Sequence, residues 1–63
     1  MKTQISMTQN EAYKEEIFAW VRDEDRRVVI QRIIGYGKDG KQYPVSCMVA
    51  LTAEELNNIT KLF

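Results

Sequence analysis

The chain has 63 residues, with nine basic and nine acidic side chains, one cysteine and no histidine. A chain of this length forms one small domain, residues 1–63, and can bury only a marginal core. The lack of histidine excludes a Ser-His-Asp triad and histidine-ligated metals, and a single cysteine excludes an internal disulfide. We therefore expect no catalytic residues, no metal, no cofactor and no enzymatic activity.

The expected location is cytoplasmic. No apolar run approaches the ~20 residues that cross a bilayer, so no membrane partner is expected. Residues 1–7 lack the apolar stretch of a secretory signal peptide. The lone cysteine, Cys47, is expected to be a buried and reduced thiol, which is typical of a reducing compartment.

The N-terminal third of the chain admits two predictions. Residues 1–7 are either a frayed tail or a short edge strand. Residues 8–22 are either a helix begun by a capping box or a third strand over 16–22, which is rich in β-branched and aromatic residues. In the second case residues 23–25 form the turn, although they lack the glycine, asparagine or proline that favours one. The element order is then α-β-β-α or β-β-β-α.

The central stretch predicts a long antiparallel β-hairpin with strands at about 27–36 and 42–51. Asp39-Gly40 is a favoured two-residue turn, and it places opposite each other residues whose numbers sum to 79. A looser loop over 37–40 preserves the same pairing. Because Pro44 lacks an N–H, we expect the second strand to be an edge at that position or to be distorted against Gly35. A slip of one residue would move the apolar set of one strand to the wrong side of the sheet, so the pattern favours this register.

This register gives the two sides of the hairpin different characters. One side is apolar and is expected to form the core; it carries Val28, Ile30, Ile34, Tyr36, Tyr43, Val45, Cys47, Val49 and Leu51. Arg32 interrupts it and must reach water, meet a partner, or pair with a carboxylate such as Glu16 or Glu24. The other side is half polar. Its apolar patch is the expected homodimer contact, since small chains without disulfides often oligomerise: Val29, Ile33, Met48 and Ala50.

A C-terminal helix is predicted over 53–62. It begins at a capping box formed by residues 52–55, in which Thr52 and Glu55 satisfy each other's backbone N–H groups. The apolar residues that follow lie at helical spacing, and we expect the helix to fold back onto the apolar side of the hairpin. The predicted fold class is therefore α+β, a long antiparallel hairpin packed by a C-terminal helix.

Charge is balanced overall but uneven along the chain. Residues 26–41 carry five basic side chains and one acidic one, whereas residues 1–25 carry three basic and six acidic ones. A basic strand pair can neutralise phosphates, and nearby aromatic side chains can stack on unpaired bases. The residues expected to contact nucleic acid are Arg22, Arg26, Arg27, Arg32, Lys38, Lys41, Trp20 and Tyr36.

Three segments, taken in this order along the chain, carry a resemblance to a known family: Val21-Arg22-Asp23, Val28–Ile33 and Val49–Leu56. They resemble the single-stranded-DNA-binding domain of the transcriptional positive cofactor 4 family. The resemblance covers about residues 16–63 and requires a strand over 16–22. It implies a dimer built by the C-terminal helix, and curved strands whose basic and aromatic residues hold unpaired DNA. The chain departs from the family at Cys47-Met48, where Lys-Gly is typical, and at Leu56, where an aromatic residue is typical.

Two functions are consistent with these patterns. The first is a small non-enzymatic nucleic-acid-binding accessory factor, dimeric, whose basic β-hairpin binds single strands. The alternative is a protein-interaction module, such as a phage- or mobile-element-encoded inhibitor or regulator of a larger host enzyme or complex. A neutral domain without a catalytic signature suits the second function, because a sheet edge or a helix face is enough to bind another protein.

Overall fold

The computed structural model describes the backbone of residues 1–37 and 42–63, and the side chains of residues 1–37 and 45–63. Four strands and one helix follow in chain order: β1 Thr3–Gln9, β2 Tyr13–Arg22, β3 Arg27–Tyr36, β4 Gln42–Leu51 and α1 Ala53–Thr60. Each strand pairs antiparallel with the next, so the sheet order is β1-β2-β3-β4. The predicted α+β class and both hairpin strands are confirmed.

The N-terminal third is strand rather than helix. β1 forms an edge strand where a frayed tail was the alternative, and β2 occupies Tyr13–Arg22. Between them, the Asn10 side-chain oxygen accepts hydrogen bonds from the backbone N–H groups of Ala12 and Tyr13, at 2.7 and 3.0 Å. This asparagine-based turn competes with helix initiation at the same place, and the aromatic and β-branched residues that follow favour a strand.

The predicted register of the hairpin is confirmed over most of its length. From Val28 opposite Leu51 to Ile34 opposite Val45, the paired residue numbers sum to 79. The register then shifts by one, so that Tyr36 pairs with Gln42 and not with Tyr43 as predicted. Pro44 explains the shift, because proline lacks the N–H that the regular ladder requires and is accommodated at bulges. The predicted turn at Asp39-Gly40 lies outside the described residues.

The turn between β2 and β3 uses a left-handed arginine in place of glycine. Arg26 has a φ of 57°, and its N–H donates to the carbonyl of Arg22 at 2.8 Å. The Asp25 carboxylate accepts from the Arg22 Nε at 3.0 Å and from the Arg27 N–H at 3.3 Å. Side-chain hydrogen bonds of Asp25 therefore hold a turn whose sequence has no ordinary turn former.

Replacing Arg26 with glycine is expected to raise the free energy of unfolding by up to about 1 kcal/mol, because glycine adopts a positive φ without the steric cost of a Cβ. Arg26→Ala is the matched control, since it removes the same 3.6 Å ion pair with Asp23 but keeps the Cβ. Urea denaturation measures both variants. Equal stability of the glycine and alanine variants would show that the backbone at this position is unstrained.

Alternation along the strands divides the sheet into two faces. The Arg32 face carries Thr3, Ser6, Thr8, Glu15, Ile17, Ala19, Val21, Val28, Ile30, Arg32, Ile34, Tyr36, Val45, Cys47, Val49 and Leu51. The Val29 face carries Gln4, Met7, Gln9, Lys14, Glu16, Phe18, Trp20, Arg22, Arg27, Val29, Gln31, Ile33, Ser46, Met48 and Ala50. Val29 is 4% exposed and is the one buried hydrophobic residue among those with described side chains.

The Arg32 face is not the buried core that the pattern predicted. Val45 and Val49 are 51% and 50% exposed, and Cys47, predicted to be buried, is exposed. The helix ends at Thr60 rather than at the predicted residue 62, and its first turn contacts Arg27, which lies on the Val29 face. Among the described residues, no helix is long and apolar enough to cross a membrane.

The helix is anchored at its first turn. The capping box is formed as predicted: the Glu55 N–H donates to the Thr52 hydroxyl at 3.1 Å, and the Thr52 N–H donates to the Glu55 carboxylate at 2.8 Å. The second of these bonds lowers the pKa of Glu55 below its usual value. Glu55 also lies 3.8 Å from the Arg27 Nη1, which ties the helix to the start of β3.

Candidate nucleic-acid interface

Two aromatic side chains lie next to each other on the Val29 face. Phe18 and Trp20 lie two residues apart on β2, so their side chains share a face, and both are half-buried. The Lys2 ammonium lies over both rings, 4.9 Å from the Trp20 centroid and 5.9 Å from the Phe18 centroid, within cation–π range. It also donates to the Gln31 side-chain oxygen at 3.1 Å. We call Lys2, Phe18 and Trp20 the aromatic platform.

Polar side chains border the aromatic platform. The Gln31 amide donates to the Ser46 hydroxyl at 3.1 Å. On the other side, Gln4 donates to Glu16 at 3.3 Å, and the Lys14 ammonium lies 3.5 Å from the same carboxylate. The face therefore combines aromatic rings, ammonium groups, amides and a hydroxyl, which are groups that contact bases and phosphates in single strands, with one carboxylate, Glu16, which pairs with Lys14.

The predicted arginines cluster at one end of the sheet but are paired with carboxylates. Arg22 and Arg27 both contact Asp25, and Arg27 Nη1 also donates to the Ala50 carbonyl at 3.5 Å. Hydrogen bonding from Arg22 is the main cause that lowers the pKa of Asp25 to about 2, and the pair raises the pKa of Arg22. Arg26 lies in the adjacent turn. These three guanidinium groups are locally neutralised and offer little free positive charge.

Arg32 and Tyr36 do not join this cluster. Both lie on the opposite, Arg32 face, and Arg32 Nε donates to Glu15 at 2.9 Å. The predicted partners, Glu16 and Glu24, were wrong, because Glu16 points to the Val29 face and Glu24 lies in the turn. Lys38 and Lys41 lie outside the described residues. The structure therefore brings Trp20, Arg22 and Arg27 to one face, with Arg26 beside them in the turn, and separates Arg32 and Tyr36 from them.

The predicted dimer patch lies on the Val29 face. Val29 is covered within the chain itself and is not available to a partner. Ile33 and Ala50 are half-buried, whereas Met48 is 64% exposed. Met48 is thus the one exposed residue of the four.

Sequence reasoning missed Lys2, Lys14 and Phe18 as members of this surface. The signal was present in β2, where positions 14, 16, 18, 20 and 22 share a face if the segment is a strand. Because the sequence left helix and strand both open for this segment, the side chains could not be assigned to a common face. Lys2 carried no signal of its own, since only the pairing of β1 with β2 brings it above the rings.

Acid pH is expected to weaken the β2–β3 turn. The folded-state pKa of Asp25, about 2, lies below its ordinary value of 3.8, so the stabilisation is complete above pH 3.8 and is lost as the pH falls toward 2. Asp25→Asn should lower the midpoint of urea denaturation at neutral pH and flatten its acid dependence between these values. Asp23→Asn, in the same turn but almost fully exposed, is the control and should retain the wild-type acid profile. Parallel profiles for all three proteins would contradict the role assigned to Asp25.

No group of three potential metal ligands occurs among the described residues. Comparisons of the chain with protein-family models, with curated proteins and with solved structures found no match. The resemblance to the positive cofactor 4 family therefore stays a hypothesis that these comparisons do not test.

Proposed function

We propose that this protein is a non-enzymatic accessory factor that binds single-stranded nucleic acid on the Val29 face. The observation that carries the proposal is the aromatic platform, in which two neighbouring rings and an ammonium group lie together on an open sheet. Bases stack on such rings, and a nearby cation neutralises phosphate.

The geometry favours single strands over duplexes. The aromatic platform can act only on exposed base faces, and these are available in unpaired strands but not inside a helix. Neighbouring positions on one face of a strand are about 7 Å apart, so Phe18 and Trp20 can take two successive unstacked bases. Gln4, Gln31 and Ser46 offer hydrogen bonds to base edges and sugars beside them.

The charges predict modest affinity and a shallow salt dependence. The chain has no net charge, and Arg22, Arg26 and Arg27 already contact carboxylates. With two to four phosphates neutralised, the logarithm of the association constant should fall with a slope of about −1.4 to −2.8 against the logarithm of salt concentration. Strong, non-specific duplex binding does not fit this balance.

The element order also supports this proposal. The resemblance to the positive cofactor 4 family requires a strand over 16–22, and β2 supplies one. The chain also has consecutive antiparallel strands followed directly by a helix with a Thr cap, which is the element order that this resemblance implies. The Val29 face differs from the basic hairpin first expected, because its rings come from β2 and because Lys2, which lies over the rings, is its nearest cation without a carboxylate contact among the described residues.

Trp20 provides a direct test because it is the sole tryptophan of the chain. We expect a short oligothymidine to quench the fluorescence of Trp20. Over the same concentration range, binding of the protein should raise the anisotropy of a labelled oligothymidine. Both changes should be smaller at higher salt. A duplex of the same length should produce neither change at those concentrations. If single strands leave both signals unchanged at low salt, the proposed function is wrong.

One observation favours the alternative function, a protein-interaction module: the Arg32 face presents exposed apolar side chains, among them Val45 and Val49. A partner protein bound there would leave the aromatic platform free, so the two functions are separable by the face on which substitutions act. Purified protein that ignores oligonucleotides and binds a larger protein through the Arg32 face would support the alternative.

A further inference from the structure

The Arg32 face is an apolar layer on which five apolar side chains are exposed and the others are half-buried; the exposed ones are Val21, Tyr36, Val45, Cys47 and Val49. A sheet with one apolar face is stable when another layer covers that face. Here the molecule is only 16 Å thick along its shortest axis, and Val45, Cys47 and Val49 face outward. Among the residues with described side chains, none on this face is buried.

The exposed area is larger than a monomer of this size should have. A folded monomer of 7.4 kDa exposes about 4,200 Å², whereas this chain exposes 5123 Å². The excess over the whole chain, about 900 Å², is close to the ~800 Å² that each partner buries in a standard protein interface, and exposed side chains of the Arg32 face contribute to it: Val21, Tyr36, Val45 and Val49. The radius of gyration is 13.8 Å, against about 11 Å for a compact domain of this length.

We propose that a second copy of this chain covers the Arg32 face, so that two sheets pack face to face around a two-fold axis. Such an interface places the same patch on both partners, and the patch must therefore be self-complementary. Over the described residues its only charged groups are Glu15 and Arg32, which already pair at 2.9 Å. A second copy thus meets a neutral, aliphatic surface and brings no unpaired charge with it.

The ion pair of Glu15 and Arg32 lies near the middle of the Arg32 face. Arg32 lies in the middle of β3, between Ile17 of β2 and Cys47 of β4. The aliphatic residues of the face surround it on these three strands, whereas β1 contributes polar residues at its edge. The centre of the apolar area therefore falls near Arg32. This inference does not depend on nucleic-acid binding, which the opposite face is proposed to carry.

The first test compares two neighbouring lysine substitutions by sedimentation over a micromolar to hundred-micromolar range, without oligonucleotide. Val49→Lys places a charge on the Arg32 face and should weaken the dimer by about 100-fold or more, since an unpaired charge is costly in an apolar interface. Met48→Lys, one residue away on the Val29 face, should leave the wild-type dimer intact. A wild-type protein that is monomeric throughout this range, or equal weakening by both variants, would overturn the proposal.

The second test needs no destabilising charge and remains decisive if Val49→Lys does not fold. In wild-type protein the thiol of Cys47 should react slowly with iodoacetamide, and faster on dilution into the monomer. The double variant Cys47→Ser, Met48→Cys moves the sole thiol to the opposite face, where it should react rapidly at every concentration. Equal rates at the two positions would show that no second copy covers the Arg32 face.

Discussion

Trp20→Ala is expected to weaken binding of a single-stranded oligonucleotide by about 10- to 100-fold, since each aromatic stack contributes about 1–3 kcal/mol. Trp20 lies beneath the Lys2 ammonium and beside Phe18, so its loss removes both a stacking ring and the group that positions the cation. Fluorescence anisotropy of a labelled oligothymidine measures the change. Trp20 also pairs with buried Val29, so its loss could affect folding. Circular dichroism is the control that establishes whether the variant is folded.

Tyr36→Ala is the matched control for Trp20→Ala. Tyr36 was also predicted to stack on bases, but it lies on the opposite face of the sheet, and its loss should leave affinity unchanged within about twofold. Lys2→Gln should weaken binding by less than Trp20→Ala and by more than Tyr36→Ala. It should also reduce the dependence of the association constant on salt concentration by about one phosphate contact. If Tyr36→Ala weakens binding and Trp20→Ala does not, the interface lies on the Arg32 face.

Val29→Ala is expected to lower the free energy of unfolding by about 2 kcal/mol, the combined cost of lost apolar burial and of the cavity left behind. Val29 lies on central strand β3, between Trp20 and Ala50, and it is the buried hydrophobic residue of the described chain. In so small a domain this loss is a large fraction of the total stability. Urea denaturation followed by tryptophan fluorescence measures it.

Val45→Ala removes the same two methyl groups from the opposite face and serves as the control for Val29→Ala. Val45 is half exposed in the single chain, so at submicromolar concentration the substitution should cost less than about 1 kcal/mol. Its cost should grow at higher concentration if a second copy covers the Arg32 face. Equal losses for the two valines in dilute solution would show that the two faces are equally buried in the single chain.

Local rules predicted the C-terminal half of the fold. The pairing of β3 with β4 followed from alternation and turn chemistry, and the helix start followed from Thr52 and Glu55 as a capping box. Each of these signals acts between residues that are close in sequence or joined by one turn. The irregularity near Tyr36 also had a local signal, because Pro44 lacks an N–H and was expected to distort the strand opposite Gly35; only the shifted partner of Tyr36 was not predicted.

The candidate site was harder to predict. The prediction grouped basic residues that are close in sequence. In the structure, Arg27 and Arg32 lie on opposite faces of the sheet, and each is paired with a carboxylate. Glu15 rather than Glu16 holds Arg32, since alternation in β2 puts only Glu15 on the same face. The members of the aromatic platform meet only after β1 pairs with β2, across 16 to 18 residues of sequence.

The sequence by itself determined the α+β class, the hairpin register and the capped helix, because hydrogen-bonding patterns and side-chain periodicity between near neighbours specify them. Only the tertiary structure decided whether residues 8–22 are helix or strand, which face of the sheet is covered, and which charges are neutralised. These outcomes depend on which strands pair and which side chains then lie against each other, because local patterns in residues 8–22 are compatible with a helix and with a strand. An apolar pattern indicates that a face can be buried, but contacts with other elements decide whether it is.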